Sequence, residues 1–327
     1  MREKSKLYIR RLGSAFGTIS SKILPFYLRV RFAKTLGLAV RLPSVASNFI
    51  YEFSFSFAKN SFKNNKEVLL HRSFENFVME LDISQKIQRQ LFCLKTYEPS
   101  VSNFIKKNLG KNDVFVDVGT HVGYYSLLAS RMVGEGGTVV SLEPETKNLA
   151  RLSNNISVNN IKNIKILGVA AGESEGVADF YINPLNEGGG SLLEFEKYRD
   201  GSEVYDKSDI EKKYKSVPLH RKVPVNSLDN LIASLNLSGK INLIKIDTEG
   251  AELKVLRGCI KEFGNNNNLK IICEVSTDRK PVFDLVKQFG FDIFRLNEAG
   301  LAIRLENEND APKTNFVFKK KQHTSRH

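Results

Sequence analysis

The sequence predicts an α/β protein in which a doubly wound, mostly parallel sheet has helices on both faces and follows a basic N-terminal extension. Three observations support this fold class. Strand-like and helical patterns alternate through the body of the chain, which is typical of parallel sheets. The sequence VFVDVGTHVGYYS at residues 114–126 has the form of a strand, a glycine turn and a helix. Positive charge is concentrated at the two ends of the chain, which sets them apart from the body.

The distribution of charge predicts three regions. The 327 residues have a formal net charge of +13, to which residues 1–72 contribute +11, residues 319–327 contribute +4 and the body between them −2. We therefore expect a basic extension over residues 1–75, a folded domain over 76–318 and a basic tail over 319–327. A nearly neutral body is not typical of a nucleic-acid-binding surface, and we expect no nucleic-acid partner.

The N-terminal extension alternates basic and apolar residues, and Pro25 and Gly37 divide it into short segments. Residues 1–50 could lie peripherally on an anionic membrane, or could pack their apolar stripe on the protein itself. The sequence shows no apolar run long enough for a membrane span and no secretory cleavage pattern, and its cysteines have no metal-ligand spacing. We expect a cytoplasmic protein, with peripheral membrane contact as the alternative.

The hydrophobic periodicity predicts the elements in order, beginning with a strand at residues 77–83 and helical sequence at 85–107. The predicted core strands are residues 114–118, 138–142, 164–169, 177–182, 241–246, 269–275, 291–296 and 316–318. The predicted core helices are residues 122–133, 146–159, 252–263 and 281–289. The strands at 164–169 and 177–182 could form a hairpin. A charged segment at 183–222 interrupts the alternation and is either a functional lid or a solvated insertion.

The glycine turn indicates the kind of ligand. Gly119 and Gly123 are four residues apart, which does not match the G-x-G-x-x-G spacing of dinucleotide-binding folds. An acid directly before the turn, Asp117, suits a ligand with a cationic amino-acid end, such as S-adenosylmethionine. Glu143 ends the next strand, where a carboxylate can accept both hydroxyls of a ribose. The alternative for Glu143 is an acid favoured by the dipole at a helix start.

A second acidic motif, IKIDTEGAE at residues 244–252, follows the strand at 241–246. Crowded acids beside a lysine in a cleft are functional candidates, and we favour this interpretation for Asp247. For Glu252 we favour a structural role at a helix start. Methyl transfer to a hydroxyl requires alignment of the reactants and removal of a proton. The candidate bases are Asp247, Glu249, His121 and Glu274, although His121 could instead hydrogen-bond the cofactor.

The chain resembles the FkbM family of S-adenosylmethionine-dependent methyltransferases over about residues 82–297. The resemblance is carried by an ordered set of motifs, YEP, VDVGTHVGYYS, LEPE, RLSNNISVNN, GGGSL, VNSLDNL and IKIDTEGAELKVLRG. It implies a class I methyltransferase (Rossmann-like) fold with a seven-stranded sheet, and O-methylation of acceptors that are often sugar or polyketide hydroxyls. The family commonly has Asn at the position of His121 and Val at that of Thr248, and the insertion here is longer.

The residues and the resemblance together predict a cofactor site and no metal site. The predicted cofactor-binding residues are Asp117, Gly119, Thr120, His121, Gly123, Tyr124, Glu143, Pro144, Ala171 and Asp247. The resemblance directs Asp247 and Glu249 toward the methyl donor or the acceptor.

We expect O-methylation of a hydroxyl on a sugar, a glycan or glycolipid, or a small-molecule natural product. Two other functions remain open. A nucleic-acid methyltransferase of the adenine kind would carry Asn/Asp-Pro-Pro-aromatic after the strand at 241–246, where this chain has DTEG. A non-catalytic, membrane-peripheral protein could retain the fold without activity.

Overall fold

The computed structural model describes residues 15, 68–73, 75–184, 189–194, 197–200, 203–213, 219–275, 278–306 and 315–321. The chain divides into two compact units, Met1–Tyr97 and Glu98–His327. The expectations for residues 1–50 fall, apart from Ala15, outside the described residues. No helix of the described part is long and apolar enough to cross a membrane.

The first unit contains two paired strands and a helix in its described part. Strand β1 (Val68–Arg72) pairs antiparallel with β2 (Val78–Asp82), and helix α1 (Lys86–Leu94) follows. Strand β2 corresponds to the strand predicted at residues 77–83, which is confirmed.

The single helical segment predicted over residues 85–107 is wrong, because the structure has two helices there. Helix α1 is followed by Lys95 in the left-handed region, with φ of 59°. Helix α2 (Pro99–Asn108) begins with a proline. Proline has no N–H and its ring clashes with a preceding helical turn, so it can start a helix but cannot continue one.

The second unit alternates strands and helices. Its remaining strands are β3 (Val114–Val118), β4 (Thr138–Leu142), β5 (Ile164–Leu167), β6 (Ala170–Gly172), β7 (Gly176–Tyr181), β8 (Lys197–Asp200), β9 (Glu203–Asp206), β10 (His220–Ser227), β11 (Leu243–Ile246), β12 (Lys270–Glu274), β13 (Phe291–Leu296), β14 (Ala302–Arg304) and β15 (Asn315–Lys320). Its remaining helices are α3 (Tyr124–Val133), α4 (Thr146–Val158), α5 (Lys207–Lys213), α6 (Leu228–Ser234), α7 (Glu252–Arg257), α8 (Ile260–Asn265) and α9 (Arg279–Gln288).

The main sheet has the strand order β14-β13-β15-β12-β11-β3-β4-β5. Strands β12, β11, β3, β4 and β5 are parallel, whereas β15 and β14 run antiparallel to their neighbours. The predicted α/β fold with a mostly parallel sheet is confirmed. The two central strands, β3 and β11, are buried along their whole length, so their carboxyl ends present two loops side by side.

The main sheet has eight strands in the described residues instead of the seven implied by the resemblance. The additional edge strand is β14, which pairs with β13 after a tight turn. In this turn Asn297 N–H donates to the Leu301 carbonyl at 3.0 Å, and Gly300 has φ of 72°. The turn reverses the chain directly onto β13, which explains the eighth strand.

A second sheet of three strands has the order β6-β10-β7. Strand β10 is parallel to β6 and antiparallel to β7. The hairpin considered for residues 164–169 and 177–182 is therefore wrong, because β7 pairs with β10 and not with β5. The true partner lies beyond the charged insertion, where local periodicity cannot identify it.

The helix predicted over residues 252–263 is also divided in two, as α7 and α8. Gly258 separates them and lies so close to β6 that a Cβ at this position would overlap the Gly172 carbonyl. The chain turns at this contact, and this packing is not visible in the apolar periodicity that predicted one helix.

Candidate active site

The loops that follow β3 and β11 touch each other through Gly119. Its φ is 78°, and a Cβ here would overlap the backbone carbonyl of Asp247. The Asp247 N–H donates to the Val118 carbonyl at 3.1 Å, which ties the second loop to the first. Glycine is required at this position because the two backbones approach without room for a side chain.

A cavity lies at the carboxyl ends of the parallel strands and measures about 520 Å³ with its opening to solvent. Its lining combines apolar side chains with a small number of polar groups, as is usual for a ligand pocket. The lining residues are Val118, Gly119, His121, Leu142, Glu143, Pro144, Asn148, Val169, Ala170, Ala171, Phe180, Gly190, Leu192, Asp247 and Thr248.

The cavity brings together six of the ten predicted cofactor residues, which are Gly119, His121, Glu143, Pro144, Ala171 and Asp247. The other four, Asp117, Thr120, Gly123 and Tyr124, are not in its described lining. Sequence reasoning missed the wall formed by Phe180, Gly190 and Leu192. The run of three glycines at 188–190 was a usable signal, because Gly190 packs where a Cβ would overlap the Phe180 ring.

Glu143 is buried between the first two loops and has three hydrogen-bond donors. Its Oε2 accepts from His121 N–H at 2.8 Å, and its Oε1 accepts from Glu145 N–H at 2.8 Å and from Asn148 Nδ2 at 3.4 Å. A carboxylate has about four acceptor positions, so capacity remains on the cavity side. Burial raises the pKa of Glu143 to about 7, against the effect of these donors. The alternative role at the helix start belongs instead to Glu145, which caps α4 by accepting from Lys147 N–H.

His121 is held in the left-handed region, with φ of 55°. Asn and His are among the residues that tolerate this region best, which explains why His can stand where the family commonly has Asn. Burial lowers the pKa of His121 to about 4, so the imidazole is neutral at physiological pH. Its Nε2 is buried and has no hydrogen-bond partner among the described residues. An orphaned polar atom on a cavity wall is a place for a ligand's polar group.

The acid before the glycine turn faces helix α3. Asp117 is fully buried and accepts from Ser126 Oγ at 2.6 Å, while Thr120 Oγ1 donates to the Asp117 carbonyl at 2.9 Å. Burial raises the pKa of Asp117 above its usual range, although the nearby Lys245 ammonium opposes this. Tyr124 also points away from the cavity, since its hydroxyl accepts from Ser102 Oγ at 3.3 Å. These contacts hold the turn and the start of α3 in place.

Gly123 opens helix α3 with φ of 95°. A Cβ at this position would overlap the Leu152 side chain of helix α4. The second glycine of the turn is therefore required by helix packing.

Asp247 is partly exposed to the cavity and is hydrogen-bonded to a buried lysine. Lys245 Nζ donates to Asp247 Oδ2 at 3.0 Å, and the exposed fractions of the two side chains are 2% and 23%. Burial lowers the pKa of Lys245, but the carboxylates of Asp247, Asp117 and Glu98 outweigh it, and the net shift is upward. The lysine therefore carries a positive charge, which it directs at the Asp247 side chain.

The remaining acids of the second motif have different surroundings. Glu252 is buried, and its Oε1 accepts from Thr248 N–H at 3.1 Å, from Thr248 Oγ1 at 3.0 Å and from Gly250 N–H at 2.9 Å. It shapes the turn, as its structural interpretation predicted. Glu249 is exposed with φ of 53°, and its carbonyl accepts from Ser191 Oγ at 2.9 Å.

Glu274 ends β12, beside the end of β11. The charge of Asp247 and burial raise the pKa of Glu274 to about 9. Its carboxyl therefore carries a proton at neutral pH and can donate a hydrogen bond. Neither Glu249 nor Glu274 is in the described lining of the cavity.

The residues of the cavity fit S-adenosylmethionine. Glu143 retains acceptor capacity for hydroxyls, the orphaned Nε2 of His121 can bond a polar group, and Gly119 leaves its backbone accessible. No group of three or more His, Cys, Asp or Glu side chains in the described part of the chain could hold a metal ion.

The fold and the cavity define an α/β protein with a nucleotide-type pocket at the carboxyl ends of its strands. The chain belongs to the methyltransferase FkbM domain family, whose profile matches residues 117–298. It is accordingly an S-adenosylmethionine-dependent methyltransferase. The predictions of the family, of the fold class and of the cofactor are confirmed.

The chain is similar to two curated fungal proteins. It is 29% identical over 230 residues to "Methyltransferase sdnD" of Sordaria araneosa, a match that covers 65% of this chain and 83% of that protein. It is 24% identical over 211 residues to "Methyltransferase 1" of Beauveria bassiana, a match that covers 63% of this chain and 80% of that protein.

Solved structures have only a distant similarity to this chain. M. jannaschii TYW2 in complex with AdoMet matches at 11% identity and a TM-score of 0.37, covering 79% of this chain and 89% of its own. A protein from Streptococcus mutans in complex with SAH matches at 12% identity and a TM-score of 0.35. This match covers 67% of this chain and 95% of that protein. Likenesses at this level do not bear on the acceptor or on individual residues.

Proposed function

We propose that the protein transfers a methyl group to a hydroxyl oxygen of a sugar, a glycan or glycolipid, or a small-molecule natural product, with Asp247 as the general base. The observation that carries this proposal is the position of Asp247 in the same cavity as Glu143 and His121. A carboxylate in this place can remove the proton of an acceptor that lies against the cofactor.

The bound cofactor supplies an electrophilic methyl group on a sulfonium centre. The sulfonium would give up this methyl group to the acceptor oxygen and leave as a neutral thioether, and Asp247 would take the proton that the acceptor hydroxyl loses. Glu143 binds the ribose hydroxyls through its remaining acceptor capacity. Asp247 is kept next to these groups by the contact of its backbone with Gly119. Alignment of the reactants supplies much of the rate enhancement in such a reaction.

Among the four candidate bases, the surroundings favour Asp247. Asp247 is in the cavity lining, and the ammonium of Lys245 holds its carboxyl group in place at 3.0 Å. Glu274 is protonated at neutral pH, which suits a hydrogen-bond donor better than a base. His121 is neutral, and taking a proton would place a positive charge on a buried ring, which its burial disfavours. Glu249 is exposed and is not in the described cavity lining.

The lining of the cavity includes residues of the insertion. Gly190 and Leu192 line it, and the hydroxyl of Ser191 between them is bonded to the loop after β11. We therefore propose that this part of the insertion determines which acceptor is methylated. An apolar wall beside a base would suit an acceptor with an apolar face, such as a sugar ring or a polyketide.

The test is methyl transfer from radiolabelled S-adenosylmethionine to extracts of cells that lack the gene, separated into lipid, glycan, small-molecule and RNA fractions. We expect label in one of the first three, in a form that resists alkali as a methyl ether does. The variant Asp247→Asn should reduce labelling by about two to four powers of ten. The matched control is Asp179→Asn, because Asp179 is paired with Lys222 at 2.7 Å outside the cavity lining.

Label confined to RNA, or released by alkali as from a methyl ester, would contradict the proposed acceptor class. Full activity of Asp247→Asn would exclude Asp247 as the base. If the control variant loses as much activity as Asp247→Asn, the loss is not specific to the site.

A further inference from the structure

Glu98 lies outside the segment matched by the family profile and outside the predicted site, yet it is connected to the proposed base. It precedes Pro99 at the start of helix α2 and has φ of 35°, in the left-handed region. A residue other than glycine in this region is strained, and such strain is often found at functional sites. Its side chain is held from two sides, because Tyr125 OH donates to Oε2 at 2.7 Å and Asn315 Nδ2 to Oε1 at 3.4 Å.

The contacts of Glu98 lead to Asp247 through two residues. The ring of Tyr125 lies 4.8 Å from Lys245 Nζ, close enough for a cation–π interaction. The same ammonium donates to Asp247 Oδ2 at 3.0 Å. A tyrosine that is fixed at its hydroxyl by Glu98 therefore forms one wall of the position occupied by the lysine head group.

A second route runs through Glu274. Strands β11 and β12 are paired with Ile246 opposite Cys273, so the next residues, Asp247 and Glu274, lie at neighbouring strand ends. On the other side Glu274 is paired with Asn315, which is the second donor to Glu98. Glu98 is thus linked to Asp247 through Tyr125 and Lys245, and to the neighbouring end of β12 through Asn315.

We propose that Glu98 is a positioning residue of the active site, which orients the Lys245 ammonium toward Asp247 and acts on the neighbouring acid, Glu274. The inference rests on the role of Asp247 as the base. In this arrangement Asp247 faces the acceptor in the cavity, and Glu274 lies at the neighbouring strand end, beside Asp247. Paired acids with separated protonation states are a recurrent device of active sites.

The electrostatics of the cluster agree with this geometry. The groups that act on Glu274 are the carboxylates of Asp247, Glu98 and Glu249, which favour its protonated form, and the ammonium of Lys245, which opposes them. Burial raises the pKa of Glu98 as well, while the hydrogen bond from Tyr125 lowers it. A change at Glu98 should therefore be detectable at Glu274.

The experiment is a pH titration of the full chain by ¹³C NMR with labelled glutamate carboxyl groups, without cofactor or acceptor. The Glu274 signal is assigned from the variant Glu274→Gln. In Glu98→Gln, which retains an acceptor oxygen for Tyr125 but loses the charge, we expect the pKa of Glu274 to fall by about one unit. Glu98→Asp restores the charge and should return the pKa toward the wild-type value. The matched control is Glu135→Gln, an exposed acid in the turn before β4.

An unchanged Glu274 titration in Glu98→Gln overturns the proposal, and so does an equal shift in Glu135→Gln. If Glu98→Gln does not fold, Tyr125→Phe tests the same link, because loss of its donor should raise the pKa of Glu98. An unchanged Glu98 titration in that variant would also overturn the inference. Since neither measurement involves methyl transfer, failure here is distinguishable from failure of the proposed function.

Discussion

The pH dependence of cofactor binding tests the role of Glu143 directly. Its pKa of about 7 in the protein without ligand means that it is only partly ionised near neutrality. If Glu143 accepts both ribose hydroxyls, the ionised form binds the cofactor and the protonated form binds it poorly. Lowering the pH should then weaken binding, even though the cofactor is unchanged.

The magnitude follows from the fraction of ionised Glu143. From about pH 8 to about pH 6 this fraction falls about tenfold, so the apparent Kd should rise about tenfold, which is about 1.4 kcal/mol. His121 does not titrate in this range, because its pKa is about 4. The α-amino group of the ligand titrates near pH 8, and this contribution must be separated from that of the protein.

Isothermal titration calorimetry with S-adenosylmethionine across this pH range provides the measurement, and Glu143→Gln is the matched variant. The variant cannot ionise, so it should bind more weakly than wild type above pH 7 and should lose the pH dependence that belongs to the protein. The ligand's own titration affects both proteins equally and cancels in the comparison. Parallel pH profiles of the wild type and the variant would refute the assignment of Glu143 to the ribose.

Glu143 also predicts a pH dependence of the free energy of unfolding, and its sign is opposite to that of cofactor binding. Its pKa is raised in the folded protein from 4.5 to about 7. The folded state therefore binds the extra proton between these values, and the contribution of Glu143 to the free energy of unfolding falls as the pH rises through this range. The loss is at most about 3 kcal/mol. Denaturant unfolding at several pH values should show it in wild type and not in Glu143→Gln.

Three further changes have outcomes that follow from local geometry. Gly119→Ala should cost about 2 kcal/mol or more in unfolding free energy and abolish cofactor binding. Gly264→Ala should instead stabilise α8 by about 0.5 kcal/mol, because a Cβ added at Gly264 would meet no neighbouring segment within 4 Å. Equal effects of the two substitutions in denaturant unfolding would contradict the close approach at Gly119. His121→Asn should leave the thermal midpoint unchanged, while His121→Val should lower it by about 4 °C; an equal fall in both would argue against backbone strain. Arg221→Met should lower the midpoint by about 2 °C by breaking the ion pair with Glu145 at the start of α4, and no change would show the pair to be negligible.

The strands and loops that carry the site could be predicted from the sequence because their signals are local. The buried strands β3 and β11 appear as short apolar runs that end in acids, and the glycines of the first turn follow at once. The family resemblance adds the order of these motifs along the chain. The local signals and the resemblance together predicted six of the residues that line the cavity.

The rest depends on packing between distant segments. Gly119 is needed because of the Asp247 backbone, and no spacing within the first motif reveals this contact. Gly190 joins the cavity wall because the next residue, Ser191, pairs with Tyr181 of β7. The connection of Glu98 to the site requires Tyr125 from another helix. Local periodicity contains no information about such pairs.

The acids of the second motif show why sequence alone left several candidate bases. Glu252 receives three donors from its own turn, which use up one carboxylate oxygen and fix the residue as structure. Asp247 receives one buried ammonium and keeps part of its surface in the cavity. Glu274 adjoins the charge of Asp247 and stays protonated. Three carboxyls of similar intrinsic acidity thus come to differ, one as an anchor of its turn, one as the proposed base and one as a protonated neighbour, because the groups that the fold places around them differ.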